Sequence, residues 1–162
     1  MPRQSFLEAQ TTALRRYGLE AEERFVDAPS VGPKTAERFH AIGATTVADL
    51  LELDPNDAAV RINYRRITPE FIRDWQLQTT LVCRIPNLRG HDAQILVACE
   101  IPTAELLAKM EPETLLAQVQ QFVTTAEGKR VLRSAKAPDL AEVTSWIRWA
   151  QRARAVGAVN SN

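Results

Sequence analysis

The chain has 162 residues, 45% hydrophobic and 25% charged, with Lys+Arg and Asp+Glu both at 20 and a pI of about 6.7. That is enough chain for an ordinary domain with its own core. The balanced charge excludes a uniformly basic nucleic-acid binder, so any basic surface has to be local. No apolar run approaches the ~18 residues of a membrane span. The opening residues, Met1 to Ser5, lead into no signal-peptide core, and a cytoplasmic protein is expected.

Helix signals dominate and convincing strands are absent. Residues 5–17 read as a helix, with Phe6, Ala9, Ala13 and Leu14 at helical spacing and Gly18 as its stop. Residues 19–25 are acidic, with Glu20, Glu22 and Glu23, and read as a second short helix. With Asp27 these carboxylates form a solvated acidic face rather than a catalytic pair.

Residues 28–39, A-P-S-V-G-P-K-T-A-E-R-F, organise the rest of the chain. Pro29, Gly32 and Pro33 crowd a turn, and residues 35–42 then form a short helix ending at Gly43. Gly32 is expected at positive φ, and Pro33 suits the first helical position. Such a helix start presents free N–H groups and the positive end of the helix dipole, which attract anions.

Thr46 to Asp49 read as a capping box, and Asp54-Pro55 as a cap followed by a first-turn proline. A break follows at Asn63 and Tyr64, with Arg61, Arg65 and Arg66 clustered around it. Thr68-Pro69-Glu70 opens a longer helix over residues 70–83, with Phe71, Trp75, Gln78 and Val82 on one face. Cys83 and Cys99 lie in apolar runs without CxxC spacing, and read as reduced, buried thiols with no metal role.

The order of parts then repeats. Pro86 falls on Pro29, Asn87 on Ser30, Leu88 on Val31 and Ala93 on Ala36, while Arg89 stands in the place of Gly32. Asn87 tolerates a left-handed backbone. Residues 104–107 echo 48–51, Glu111-Pro112 echoes Asp54-Pro55, and Trp146 takes the place of Trp75 after an insertion over 124–137. Asp139 to Glu142 form another capping box ahead of Trp146. Both tryptophans are expected to be buried.

The first hairpin resembles the helix-hairpin-helix motif, with Ser30 in place of its first glycine and Gly32 and Ala36 kept. The whole order of parts over about 25–153 is similar to the bacterial family called domain of unknown function 4332. Its markers here are the first hairpin, Arg84-Ile85-Pro86 and the Trp146-Ile147 helix. The resemblance implies an all-α fold: two pseudo-repeated helix-hairpin-helix units in a SAM-like helical bundle, with an N-terminal helical extension. The expected divisions are residues 1–26 for the extension, 27–154 for the tandem domain and 155–162 for a flexible tail.

No Ser-His-Asp order, metal-ligand cluster or Walker loop is readable, so no enzyme, cofactor or metal is expected. His40 and His91 are the two histidines, and His91-Asp92 reads as a local cap. The hairpin resemblance implies sequence-independent DNA contact through Val31, Gly32, Lys34, Thr35 and Arg38 on phosphate, with a weaker second site at Asn87, Arg89, Gly90 and His91. A second basic set comprises Lys129, Arg130, Arg133, Lys136, Arg148, Arg152 and Arg154. Trp146 and Trp149 read as core rather than as base-stacking platforms. The alternative is a protein-interaction or scaffold module with architectural hairpins, its partner a protein or a second copy bound through the N-terminal helix.

Overall fold

A computed structural model describes residues 17–156. After a 3₁₀ turn at Phe25–Asp27 come α1 Pro33–His40, α2 Val47–Glu52, α3 Pro55–Ile62, α4 Pro69–Arg84, α5 Gly90–Ala98, α6 Ala104–Ala108, α7 Pro112–Val123, α8 Ala126–Leu132 and α9 Leu140–Ala150. The described residues form no strand beyond an isolated bridge between Arg24 and Thr46, so the fold is all-α. None of these helices is long and apolar enough to cross a membrane. The expected helix over 5–17 and the expected tail at 155–162 lie largely outside the described residues.

Local chemistry explains the helix starts. α1, α3, α4 and α7 each begin at a proline, whose missing N–H would have had no helical acceptor anyway. Thr46 and Asp49 close the reciprocal capping box ahead of α2. Asp54, Thr68, Thr103, Thr125 and Asp139 each accept an amide bond at the next helix starts, worth typically ~1 kcal/mol apiece. Asp139 caps α9 without the returning half of a box.

Residues 19–25 are not the helix their composition suggests. Their carbonyls serve α2 instead: Val47 donates to Glu23 (2.8 Å) and Ala48 to Ala21 (2.9 Å), while Phe25 donates to Thr45 (3.0 Å). A backbone already spent on a neighbour cannot also close its own helical turns.

The two turns share their backbone. Ser30 has φ 67° and Asn87 φ 66°. Val31 donates to Ala28 (3.3 Å), as Leu88 does to Ile85 (3.4 Å). A proline second and a positive-φ residue third is the arrangement of a type II turn. Gly43 (φ 91°) and Glu100 (φ 62°) likewise end α1 and α5. Gly32 itself is extended (φ −93°, ψ 175°), so the left-handed step falls at Ser30 and not at the glycine. Ser30 is held there by its hydroxyl, which donates to Gln78 Oε1 (2.7 Å) and accepts from Gln94 Nε2 (2.7 Å).

Two apolar clusters fill the interior, and α4 enters both. Its first turns place Ile72 with Phe25, Phe39, Leu50 and Ala58. Its last turns place Leu81, Val82 and Cys83 with Ile85, Leu96, Leu107, Leu115 and Trp146. Trp146 is fully buried, but Trp75 is half-buried, edge-on to Phe39 (6.0 Å) and beside Phe71, which is 50% exposed. The smaller first cluster covers one side of Trp75 and leaves the α4 face that begins at Phe71 open.

The ends of the described chain meet at α4. Arg154 Nε donates to Cys83 O (2.9 Å), and its guanidinium pairs with Glu20 (2.9 Å) and lies over the Tyr17 ring (3.7 Å). Arg84 returns a bond to Arg154 O (2.8 Å) and forks onto both oxygens of Glu105 (2.9 and 2.6 Å).

Two predictions follow from this packing. A Cβ added at Gly128 would lie 2.2 Å from Phe122 O and 2.7 Å from Val123 Cα, both backbone atoms. Gly128→Ala should therefore push α8 off α7 and cost about 1–3 kcal/mol, read by urea unfolding. The Arg84 hydrogen bonds, foremost, hold Glu105 from its ordinary 4.5 down to about 2. A depressed carboxylate contributes stability above its unfolded value and loses it as pH falls through its folded value. Stability should thus decline between pH 4.5 and about 2, and Glu105→Gln should flatten that decline.

Candidate functional site

The turn at Ser30 ends in an open helix start. Gly32 caps α1 without a side-chain bond, and Pro33 has no N–H. The amides of Gly32, Lys34 and Thr35 have no acceptor among the described residues. The Val31 amide is not among these donors, because it closes the preceding turn on Ala28, and its side chain is buried. Lys34 is exposed beside the open amides, and Thr35 is half-buried. Arg38 lies one turn on, its guanidinium 3.6 Å above the Tyr64 ring.

The turn at Asn87 has the same backbone and the opposite electrostatics. Asp92, at the third position of α5, is 1% exposed and accepts from the Arg89 amide (3.1 Å). The Arg89 guanidinium bonds the same carboxylate (3.2 and 3.3 Å), and His91 Nε2 stands 3.4 Å from it. Arg89 also reaches Glu142 (3.7 Å). The place an anion would take is filled by the chain's own carboxylate. The corresponding residue of α1 is Thr35, which has no charge to offer. Asn87 is exposed, and Gly90 lies against Pro29, whose Cγ would be 3.6 Å from an added Cβ.

Residues 29–153 match the family model described as a domain of unknown function, DUF4332. The chain belongs to this family. No curated protein and no solved structure matches it. The DUF4332 match runs from the first turn to the residue before Arg154, so the turns at Ser30 and Asn87 both fall inside it.

The other cations of the DUF4332 chain divide by role. Arg61 is engaged by Asp57 (3.7 Å) and Ile42 O (3.0 Å), and Arg154 belongs to the clasp at α4. Arg65 and Arg66 are exposed without an ion-pair partner among the described residues. Arg130 and Arg133 line a cleft of ≈ 260 Å³ together with Ser30, Gln94, Glu127 and Val131. No spacing signal in the sequence spans the stretch between Ser30 and Arg130, so nothing local fixes these two arginines beside the first turn.

Among the described residues no three His, Cys, Asp or Glu side chains gather as a metal would need. Burial pushes the Cys83 thiol up to about 12 and the Cys99 thiol to about 11, so both stay protonated and poorly nucleophilic at neutral pH.

The contrast between Asp92 and Thr35 is directly measurable. Asp92→Ala should cost about 1–3 kcal/mol, because it strips the carboxylate from a buried hydrogen-bonded cap. Thr35→Asp should gain roughly 0.3–1 kcal/mol by setting a negative charge on the open start of α1. Urea denaturation of the two variants reads both signs.

Proposed function

We propose that the chain is a non-enzymatic module built from two copies of a helix-hairpin-helix unit, the first of which holds a DNA phosphate without regard to base sequence. The unit reading is supported by the matched turns at Ser30 and Asn87, the matched stops at Gly43 and Glu100, and the matched starts at Thr46 and Thr103, Pro55 and Pro112.

The observation that carries the DNA reading is the open start of α1. Three unpaired amides, the positive end of a helix dipole and the exposed Lys34 converge on one spot. Backbone amides and a lysine recognise a phosphate oxygen and ignore the base attached to it. In the second copy Asp92 takes that place, so that copy serves the architecture. A scaffold role for both copies is favoured by the contact of Pro29 with Gly90, which joins the two turns whatever else they do.

Fluorescence anisotropy with short duplex DNA at about 50 mM salt separates the readings. Binding through the hairpin should be weak, indifferent to sequence and steeply salt-dependent, because each neutralised phosphate releases counterions. Lys34→Glu should weaken it equally on every sequence. Gly32→Val is a cleaner probe than a strained turn would allow. Its φ of −93° suits any residue, and an added Cβ meets nothing within 4 Å. The valine fits the turn, so it should cost no more than the ~1 kcal/mol that separates valine from glycine at a helix cap, and block the close approach of a phosphate. Silence of both variants, or no binding at tens of micromolar protein, would leave the scaffold role standing.

A further inference from the structure

The insertion within the second copy of the repeat, residues 124–137, contains α8. Gly128 lets this helix pack hard against the end of α7, which aims its C-terminal turn back at the first hairpin. Arg130 and Arg133 there face Ser30 and Gln94 across the ≈ 260 Å³ cleft, and neither guanidinium has an acceptor among the described residues.

Arg133 also occupies an unfavourable backbone position. It has φ 57° and ψ −114°, and the Ala135 amide donates to Leu132 O (2.9 Å) around it. That is the first central position of a type II′ turn, where glycine is at home and a side chain is strained. Strain of this kind, carried by a cation at the lip of a cleft, directs attention to what the cation is for.

We propose that this cleft is a phosphate subsite, in which Arg130 and Arg133 hold a phosphate group beside the Gln94 side-chain amide. For a phosphate of DNA the proposal rests on the DNA reading of the first hairpin, which it extends along the same strand. Ser30 precedes Gly32 by two residues, so the cleft and the open amides lie within about 7 Å of backbone. A guanidinium matches a phosphate through two parallel N–H bonds. Gln94 Nε2 spends one N–H on Ser30 and keeps a second for the ligand. Glu127 stands on the rim as the opposing charge, so its neutralisation should tighten binding.

The phosphate can belong to a DNA backbone or be a free phosphate ion, and two titrations of the full chain separate these. One follows labelled duplex DNA by anisotropy over a range of salt. The other follows the arginine Nε–Hε NMR signals with inorganic phosphate. Arg130→Gln should weaken duplex binding and lower the slope of log affinity against log salt by about 0.9, the value of one lost phosphate contact. Arg133→Gly should do the same while raising the melting temperature, since glycine relieves the turn. Glu127→Gln should bind more tightly.

Unchanged affinity and slope in Arg130→Gln and Arg133→Gly, with Lys34→Glu still impaired, would overturn the subsite and leave the hairpin reading intact. A chain that ignores duplex DNA, yet shifts the Arg130 and Arg133 signals with phosphate, would keep the subsite for a free phosphate and retire the DNA reading. No response in either titration would overturn both.

Discussion

Helix α4 is the element from which the rest of the packing takes its place, because its two ends are buried in different surroundings. Ile72 completes the cluster around Phe25 and Phe39, and Leu81, Val82 and Cys83 complete the one around Ile85 and Trp146. Each of these aliphatic side chains is worth ~1.5–3 kcal/mol when withdrawn from water. Between those ends α4 turns polar, and its amides do the positioning. Gln76 Nε2 donates to the carbonyls of Leu50 (3.0 Å) and Leu53 (2.8 Å), which closes the exit of α2. Gln78 takes the hydroxyl of Ser30, and Gln94 of α5 gives that hydroxyl its second bond. The first turn is thereby fixed to both α4 and α5. Thr79 Oγ1, next to Gln78, is buried with no partner among the described residues, and nothing in the surrounding packing explains it.

A helix start leaves several amides without acceptors, and the two turns answer that need differently. α5 answers it from within, by a buried aspartate that is itself neutralised by an arginine and faced by a histidine. α1 leaves it unanswered, on an exposed edge, with a lysine alongside. The backbone scaffold is nearly the same in both places, so the difference between a filled helix start and an open one lies in the side chains, Asp92 with Arg89 at one and Thr35 with Gly32 at the other.

Much of the fold was legible because its signals are local. Pro33, Pro55, Pro69 and Pro112 mark helix starts by their own geometry, and the Thr46–Asp49 box acts over three residues. What escaped was set by distant partners. Residues 19–25 look helical alone and are drawn into turns by the amides of α2. The left-handed step sits at Ser30 because Gln78 and Gln94 hold that hydroxyl, and a glycine two places on gave no hint of it. Trp75 reads as a core residue by periodicity, yet the first cluster is too small to cover it. The cleft at Ser30 needs α8 folded back across the molecule, and Arg130 has no local signal for that. The free amides of α1 were legible in outline, from a proline-started helix without a capping side chain; that Val31 is spent within its own turn was not.

The clasp at Arg154 bears on how the molecule comes apart. Its bond to Glu20 closes a span of 134 residues, and its bond to Cys83 O one of 71. Contacts of such range reward the chain only after the intervening loops have been closed. The two apolar clusters are joined by α4 and by α2, whose Val47 lies in the larger and Leu50 in the smaller. By tying residues on both flanks to the end of α4, where Leu19 and Cys83 belong to the larger cluster, one guanidinium makes the C-terminal stretch the latch on that cluster.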